Sequence, residues 1–341
     1  MRWNEMYIAS TGICLPGRDS TADAVAEGRY DAQEQEKNGY LSVSVATDES
    51  AADMAVSAAR VALGRAGSRA EEIALLLHAN FYHQGVDHWT PASYIQQQTT
   101  GGRAPAIELK QASNGGLAGL VLALSFLAAH ESGAALVTTA DKFCAPTYDR
   151  YNSDKWIVLG DGASAAVVSR GSGFAKVLST AMDSDSTLEE MYRGPFTDAS
   201  HGADLPLDLR TRKNEYMERV GLAEVALRSS TGLLNVVKSA LDDAELELDQ
   251  ISRFVFPNVG QALMQWDYLD AFGIDEARTT WDWGRQVGHI GAGDQFGGLN
   301  HLVETGRLGV GDRVMLAGSG IGFSWNCAVL EIQDVPTWDA R

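Results

Sequence analysis

Ser113 lies in the segment IELKQASNGGLAGL, where an apolar strand runs into a glycine-rich helix start. A nucleophile at that point has two physical advantages. Unpaired backbone N–H groups and the positive end of the helix stabilise an oxyanion, and Gly115 and Gly116 let a substrate come close. The alternative use of Ser113 or Asn114 is as a helix N-cap. A serine hydroxyl attacks poorly until a base removes its proton, and GHIGAGDQFGG (288–298) offers one. There His289 and Asp294 stand five residues apart in a glycine-rich loop that leads into another helix. A carboxylate that orients an imidazole, which in turn deprotonates a serine, is an arrangement for covalent acyl chemistry. A His–Asp pair that only holds a loop together is the structural alternative. GSGIGFSW (318–325) follows a strand and can bring backbone N–H groups of Gly320 and Gly322 to a thioester oxygen, or can simply be a tight turn.

The elements that must position these residues repeat along the chain. ALGRAGSRAEEI (62–73) and ALDDAELELDQI (240–251) share Ala, Leu, Ala and Ile at matching places, 178 positions apart (62 to 240, 73 to 251). The same shift carries the strand GAALVTTA (133–140) onto GDRVMLAG (311–318) and puts Ser113 opposite position 291, inside the His289–Asp294 loop. A shared register across separate elements points to two duplicated α/β halves. The short apolar runs 74–79, 137–140, 254–257 and 313–318 suit strands covered by helices on both faces. The segment Leu117–His130, apolar nearly all round, suits a buried central helix. The expected fold is α/β, with duplicated halves forming a five-layer αβαβα sandwich. The N-terminal half spans 1–170 and carries Ser113. A polar connector or cap spans 171–220, and the C-terminal half, 221–341, carries His289 and Asp294.

Composition narrows the function. The formal net charge of −18 disfavours nucleic acid and anionic membranes as partners, since both need a basic face. No apolar stretch reaches the roughly 18 residues that span a bilayer, and the chain opens without a secretory signal pattern. Cys14, Cys144 and Cys327 are far apart, without a CxxC pair, and read as reduced thiols. The seven histidines include no HExxH motif or Cys/His cluster, so no metal site is expected. The protein is expected to be soluble and cytoplasmic.

Five blocks in order resemble the ketoacyl synthase III family of the thiolase superfamily. VLGDGASAAVV (158–168) resembles the family's GDGAGAVVL block, and LAGSGIGFSW (316–325) its terminal glycine loop. ELKQASNGG (108–116) resembles the nucleophile motif, whose cysteine position is Ser113. FPNVG (256–260) and GHIGAG (288–293) match the stretches that carry the family histidine and asparagine. The resemblance implies a thiolase fold, a homodimer with the active site near its interface, and a thioester donor on CoA or a phosphopantetheinyl carrier protein, with no further cofactor.

The departures from the family pattern bear on function. Serine replaces the cysteine, Asn258 stands for the histidine and His289 for the asparagine. His289 gains Asp294 as an orienting partner, and Asn258 is left to hydrogen-bond an acyl carbonyl or an acceptor. The GHxGxxDQ arrangement resembles ketoacyl synthase III-like proteins of antibiotic pathways, which transfer acyl groups to alcohols or amines or select polyketide starter units. Acyl transfer to a small-molecule hydroxyl or amine is the favoured expectation; loading an acyl-CoA and condensing it with malonyl carrier protein is the alternative. KNGYLSVSV (37–45) lacks most of the basic residues that hold CoA phosphates in the family. A carrier protein is then an equal candidate as donor, with Arg210, Arg212 and Lys213 as the densest basic cluster to receive it, or an ordinary solvated turn. In NFYHQGVDHWT (80–90), Phe81, His83 and Trp89 are candidates to line a pocket for a bulky or aryl acyl group or for the acceptor, with packing at a dimer seam as the alternative. His83, His88 and His201 are reserve candidates for the base.

Overall fold

The apolar runs become strands. In the computed structural model, residues 1–67, 72–130, 133–194 and 205–338 are described. The strands are β1 (Met6–Cys14), β2 (Gly17–Ser20), β3 (Ser42–Val45), β4 (Ile73–Ala79), β5 (Ala106–Leu109), β6 (Ala134–Asp141), β7 (Gly162–Arg170), β8 (Ala175–Ser184), β9 (Arg253–Val255), β10 (Arg313–Gly320) and β11 (Ser324–Ile332). β2 and β3 form a small antiparallel two-stranded sheet. The other nine are hydrogen-bonded in the order β5-β4-β6-β7-β1-β8-β11-β10-β9. β1 and β8 meet through only two residue pairs, Tyr7 with Lys176 and Ile8 with Ala175. The nine strands are therefore two sheets, of five and of four strands, joined at one corner.

Helices fill both faces of each sheet, as near-continuous apolar strands require. Helix Gly115–Ala128 and helix Asp294–Glu304 lie between the sheets. Leu117, Leu120 and Leu124 of the first, with Phe296, Leu299 and Leu302 of the second, share one core with strands of both sheets. Helix Ala51–Ala66 covers the outer face of the five-stranded sheet through Ala55, Ala58, Ala59 and Ala62, all fully buried. Helix Leu222–Ala244 covers the other outer face through Leu233, Val236, Val237 and Ala240. This is the five-layer αβαβα sandwich expected from the sequence.

The two sheets repeat one strand order, β4-β6-β7-β1 against β9-β10-β11-β8. Helix ends Ala66 and Ala244 keep the 178-residue shift. From the central elements onward the shift is 179: Ala134 corresponds to Arg313 and Gly115 to Asp294. The 3₁₀ turn Ala112–Asn114 therefore corresponds to the turn Gly291–Gly293, one residue later than the sequence register.

The segment 171–220 needs correction. The expected connector or cap begins with β8, which bridges the two sheets. Its hydroxyls disguise it. Ser179 and Thr180 are fully buried, and Ser179 Oγ donates to the Ala240 carbonyl at 2.5 Å, so a polar-looking run satisfies itself inside the core. The short elements after Ser184, including helix Leu209–Val220, do lie outside the repeated pattern.

Candidate functional site

The helix start after β5 is built around a strained residue. Ala112 has φ +47°, one of four positive-φ non-glycine residues among those described, and left-handed backbone costs alanine roughly 1 kcal/mol. Ser113 follows in the 3₁₀ turn, and helix Gly115–Ala128 begins without a side-chain cap. The serine hydroxyl is instead 2.7 Å from His289 Nε2. His289 Nδ1 is in turn 2.5 Å from Asp294 Oδ2. The three residues read as nucleophile, base and orienter thus lie in one hydrogen-bonded line.

The loop that carries the imidazole is fixed at several points. His289 N–H donates to the Val158 carbonyl at 2.9 Å, and its own carbonyl accepts from Gly160 N–H at 2.9 Å. VLGDG, which served only for family resemblance, is therefore a backbone clamp on the histidine. Asp294 is fully buried and accepts four hydrogen bonds. Besides the imidazole, these come from Asn258 N–H at 2.8 Å, Ile290 N–H at 2.9 Å and Asn258 Nδ2 at 3.2 Å. Asn258 Nδ2 also donates to the Gly288 carbonyl at 2.9 Å. The Asn258 amide thus lies behind the acid, with both bonds going to the chain itself. The expected contact with an acyl carbonyl or acceptor is not what its geometry provides.

Burial is the largest single influence on His289 and would lower its basicity. The charge and hydrogen bond of Asp294, aided by Asp141 and Asp154, outweigh it, and the imidazole pKa lies above its ordinary value.

Asp141 is a site residue that the sequence reading missed. It closes β6, fully buried, and joins two loops. Its Oδ1 accepts from Phe81 N–H at 2.8 Å and Tyr82 N–H at 2.7 Å, while Oδ2 accepts from Ala292 N–H at 3.2 Å. The chain passes so close that a Cβ on Gly291, whose φ is +63°, would sit 2.0 Å from Asp141 Oδ2. Burial raises the Asp141 pKa to about 7, against the opposing effect of those three N–H donors and of His289. Its one sequence signal was an acidic residue ending an otherwise apolar strand.

A cavity of about 480 Å³ opens beside the serine turn, bordered by Gln111 and Ala112, a size that suits a small-molecule site. Phe81, Ala112, Ile321 and Phe323 supply its apolar wall. Lys110, Gln111, Ser184, Ser186 and Ser324 supply polar groups, and Gly322 borders it as well. The end of β10 presses against the serine turn. A Cβ on Gly320 would meet the Gln111 carbonyl at 2.6 Å and Asn114 N at 3.1 Å, so only glycine allows this approach.

Other expected site residues lie elsewhere. Of the aromatic loop, Phe81 borders the cavity. His83 pairs with Asp87 on the surface at 2.9 Å, and Trp89 is 38% exposed, packed against Tyr94. His88 is exposed, and His201 lies outside the described residues. The basic cluster is largely committed internally. Arg210 pairs with Glu34 through both guanidinium nitrogens at 2.6 and 2.7 Å, and Lys213 pairs with the buried Asp154 at 2.7 Å. Arg212 donates to the Tyr192 carbonyl. These three side chains brace the helix Leu209–Val220 against the fold, which leaves little free charge for a partner.

Known proteins match nearly the whole chain. The family model for 3-oxoacyl-[acyl-carrier-protein] synthase III matches residues 107–186, and its C-terminal counterpart matches 241–332. The solved structure of ChlB3, described as an acyltransferase, is 35% identical, superposes with a TM-score of 0.91, and covers 97% of this chain and 98% of its own. The chain belongs to the ketoacyl synthase III family. β-Ketoacyl-[acyl-carrier-protein] synthase III of Rhodospirillum centenum is 28% identical across 95% of this chain and 98% of the relative. The Aquifex aeolicus synthase III structure, 21% identical with a TM-score of 0.77, shares the fold. This member of the ketoacyl synthase III family is accordingly an enzyme of the transferase class with a thiolase fold. Among the described residues no helix is long and apolar enough to cross a membrane.

Proposed function

We propose that this ketoacyl synthase III-family enzyme is an acyltransferase that carries its acyl group on Ser113. The observation that carries the reading is the line Ser113 Oγ–His289 Nε2–Asp294, with separations of 2.7 and 2.5 Å. His289 accepts the Ser113 proton as Oγ attacks the thioester carbonyl. The tetrahedral intermediate collapses, the thiolate leaves, and the imidazolium returns the proton to it as a thiol. An acceptor hydroxyl or amine then loses its proton to His289 and attacks the acyl-serine ester. Collapse releases Ser113, which regains that proton. Asp294 holds Nδ1–H toward itself, so that Nε2 faces the serine as a proton acceptor. The Ser113 N–H and the glycine backbone around Gly320–Gly322 serve as the oxyanion donors in this scheme.

The donor is an acyl thioester of CoA or of a carrier protein, including one belonging to a polyketide synthase, and no other cofactor is needed. The acceptor is a small secondary-metabolite hydroxyl or amine, and the working unit is a homodimer. The similarity to ChlB3 acyltransferase supports acyl transfer.

Asn258 separates this reading from decarboxylative condensation. Condensation needs two donors on a malonyl thioester carbonyl, and the Asn258 amide is spent on Asp294 and Gly288. Starter-unit condensation stays as the second reading because the curated relatives are named as β-ketoacyl synthases. Incubation with an acyl thioester and a panel of alcohols and amines, with and without malonyl carrier protein, tests both. Ester or amide formed without malonate is the expected result. Carbon dioxide release with a β-keto product would establish condensation instead.

A further inference from the structure

Among the described residues, the cavity beside the Ser113 turn is bordered by a single charged side chain. Of the residues that border it, Lys110 alone carries a formal charge, in a chain whose net charge is −18. Some basic side chains elsewhere are matched with acids, Arg150 with Asp161, Arg210 with Glu34 and Lys213 with Asp154, while Lys142 donates to the Thr47 and Glu49 carbonyls. The Lys110 ammonium donates to two neutral oxygens, Asn80 Oδ1 at 3.1 Å and the Phe81 carbonyl at 3.4 Å. Asn80 in turn donates to Glu108 Oε1 at 2.7 Å. These contacts fix the direction of the lysine and leave one of its three N–H bonds for a ligand. Apolar rings border the cavity too, each packed on a further aromatic ring. Phe323 stacks on Trp325 with centroids 6.0 Å apart, and Phe81 leans on Phe143 at 5.7 Å.

Resting on the acyl-transfer reading, we propose that the cavity selects a substrate with an apolar body and an anionic oxygen group. The body lies against Phe81 and Phe323, and the anion, a carboxylate or phosphate, pairs with Lys110 Nζ. Two residues separate Lys110 from Ser113, which puts their Cα atoms at most about 10 Å apart. The proposal places the anion on the acyl group or on the acceptor. An exposed pair of this kind weakens with salt.

Binding of benzoate and of benzamide, matched in shape and different in charge, tests the proposal without requiring turnover. Calorimetry at low salt should show wild-type protein binding benzoate about two- to fivefold more tightly than benzamide. K110Q should bind both equally, and K110R should restore the preference, with thermal melts showing all three folded. Equal binding by the wild type, undetectable benzoate binding, or a preference that survives K110Q overturns the proposal.

Two kinetic arms locate the anion. Benzoyl is compared with 4-carboxybenzoyl as the N-acetylcysteamine thioester, and benzyl alcohol with 4-(hydroxymethyl)benzoate as acceptor. K110Q should abolish discrimination in the arm whose partner carries the anion. Benzoate binding that depends on Lys110 with no product in either arm would overturn the acyl-transfer reading and leave the anion site standing.

Discussion

Replacing Asp294 with asparagine exchanges one carboxylate oxygen for an amide, at a group that accepts four hydrogen bonds inside the protein. Every neighbour is a donor: His289 Nδ1, Asn258 N–H, Asn258 Nδ2 and Ile290 N–H. An amide offers one acceptor oxygen and turns an NH₂ on the other donors. If the NH₂ meets the imidazole, Nδ1 becomes the acceptor and the proton moves to Nε2, where it faces Ser113 and cannot accept the serine proton. The loss of the right tautomer in a comparable Ser–His–Asp arrangement costs about 10⁴-fold, or about 5.5 kcal/mol at 1.36 kcal/mol per decade. Each N–H left unsatisfied costs a further 1–3 kcal/mol or so of stability. Rate and folding must therefore be read together. Single-turnover acylation by a simple thioester, followed by intact mass, gives the rate, and a thermal melt gives the stability. A folded variant that acylates within tenfold of wild type would refute the assignment of Asp294 as orienter.

The pH dependence has a fixed sign. His289 is held above the ordinary histidine pKa of about 6.5, and only its neutral form accepts the serine proton. Acylation should fall as pH drops through an apparent pKa above that value, and a flat profile from pH 5 to 9 would contradict it. The stability that His289 gains from Asp294 runs the other way, complete below the unfolded pKa and lost as pH rises through the folded one. Gly291→Ala puts a Cβ where Asp141 Oδ2 lies and strains a left-handed backbone, so melting should fall by an amount worth a few kcal/mol, with acylation slowed as the clip opens. Leu124→Ala empties a fully buried position between the sheets and should cost about 2–5 kcal/mol in denaturant unfolding. Asp141→Asn should lower the apparent pKa of the acylation profile, since the Asp141 charge supports protonation of His289; an unmoved profile would make Asp141 purely architectural.

Ser113, His289 and Asp294 were legible because each sits at a glycine-rich junction between a strand and a helix, and the internal repeat brought those junctions together. The one-residue slip of that repeat did no harm, since both turns are three residues long. Asn258 was legible as a site residue but not in its role: nothing in FPNVG says whether an amide faces a substrate or an acid behind the histidine. β8 was hidden because buried Ser and Thr imitate a loop when their hydrogen-bond partners, such as the Ala240 carbonyl, are far away in sequence. The cluster at 210–213 showed the opposite fault. Charge density in sequence does not reveal that Glu34 and Asp154 already neutralise two of its members. Lys110 and Asp141 depend on tertiary surroundings, a cavity for one and two converging loops for the other, and no local spacing encodes either.

The acyl-enzyme itself is the most direct test of the account. Wild-type protein is incubated with a panel of acyl thioesters, digested, and searched for a modified peptide. The account predicts a stoichiometric ester on Ser113, absent from S113A and discharged by a productive hydroxyl or amine acceptor. An adduct on another residue, or full turnover by S113A, would contradict it.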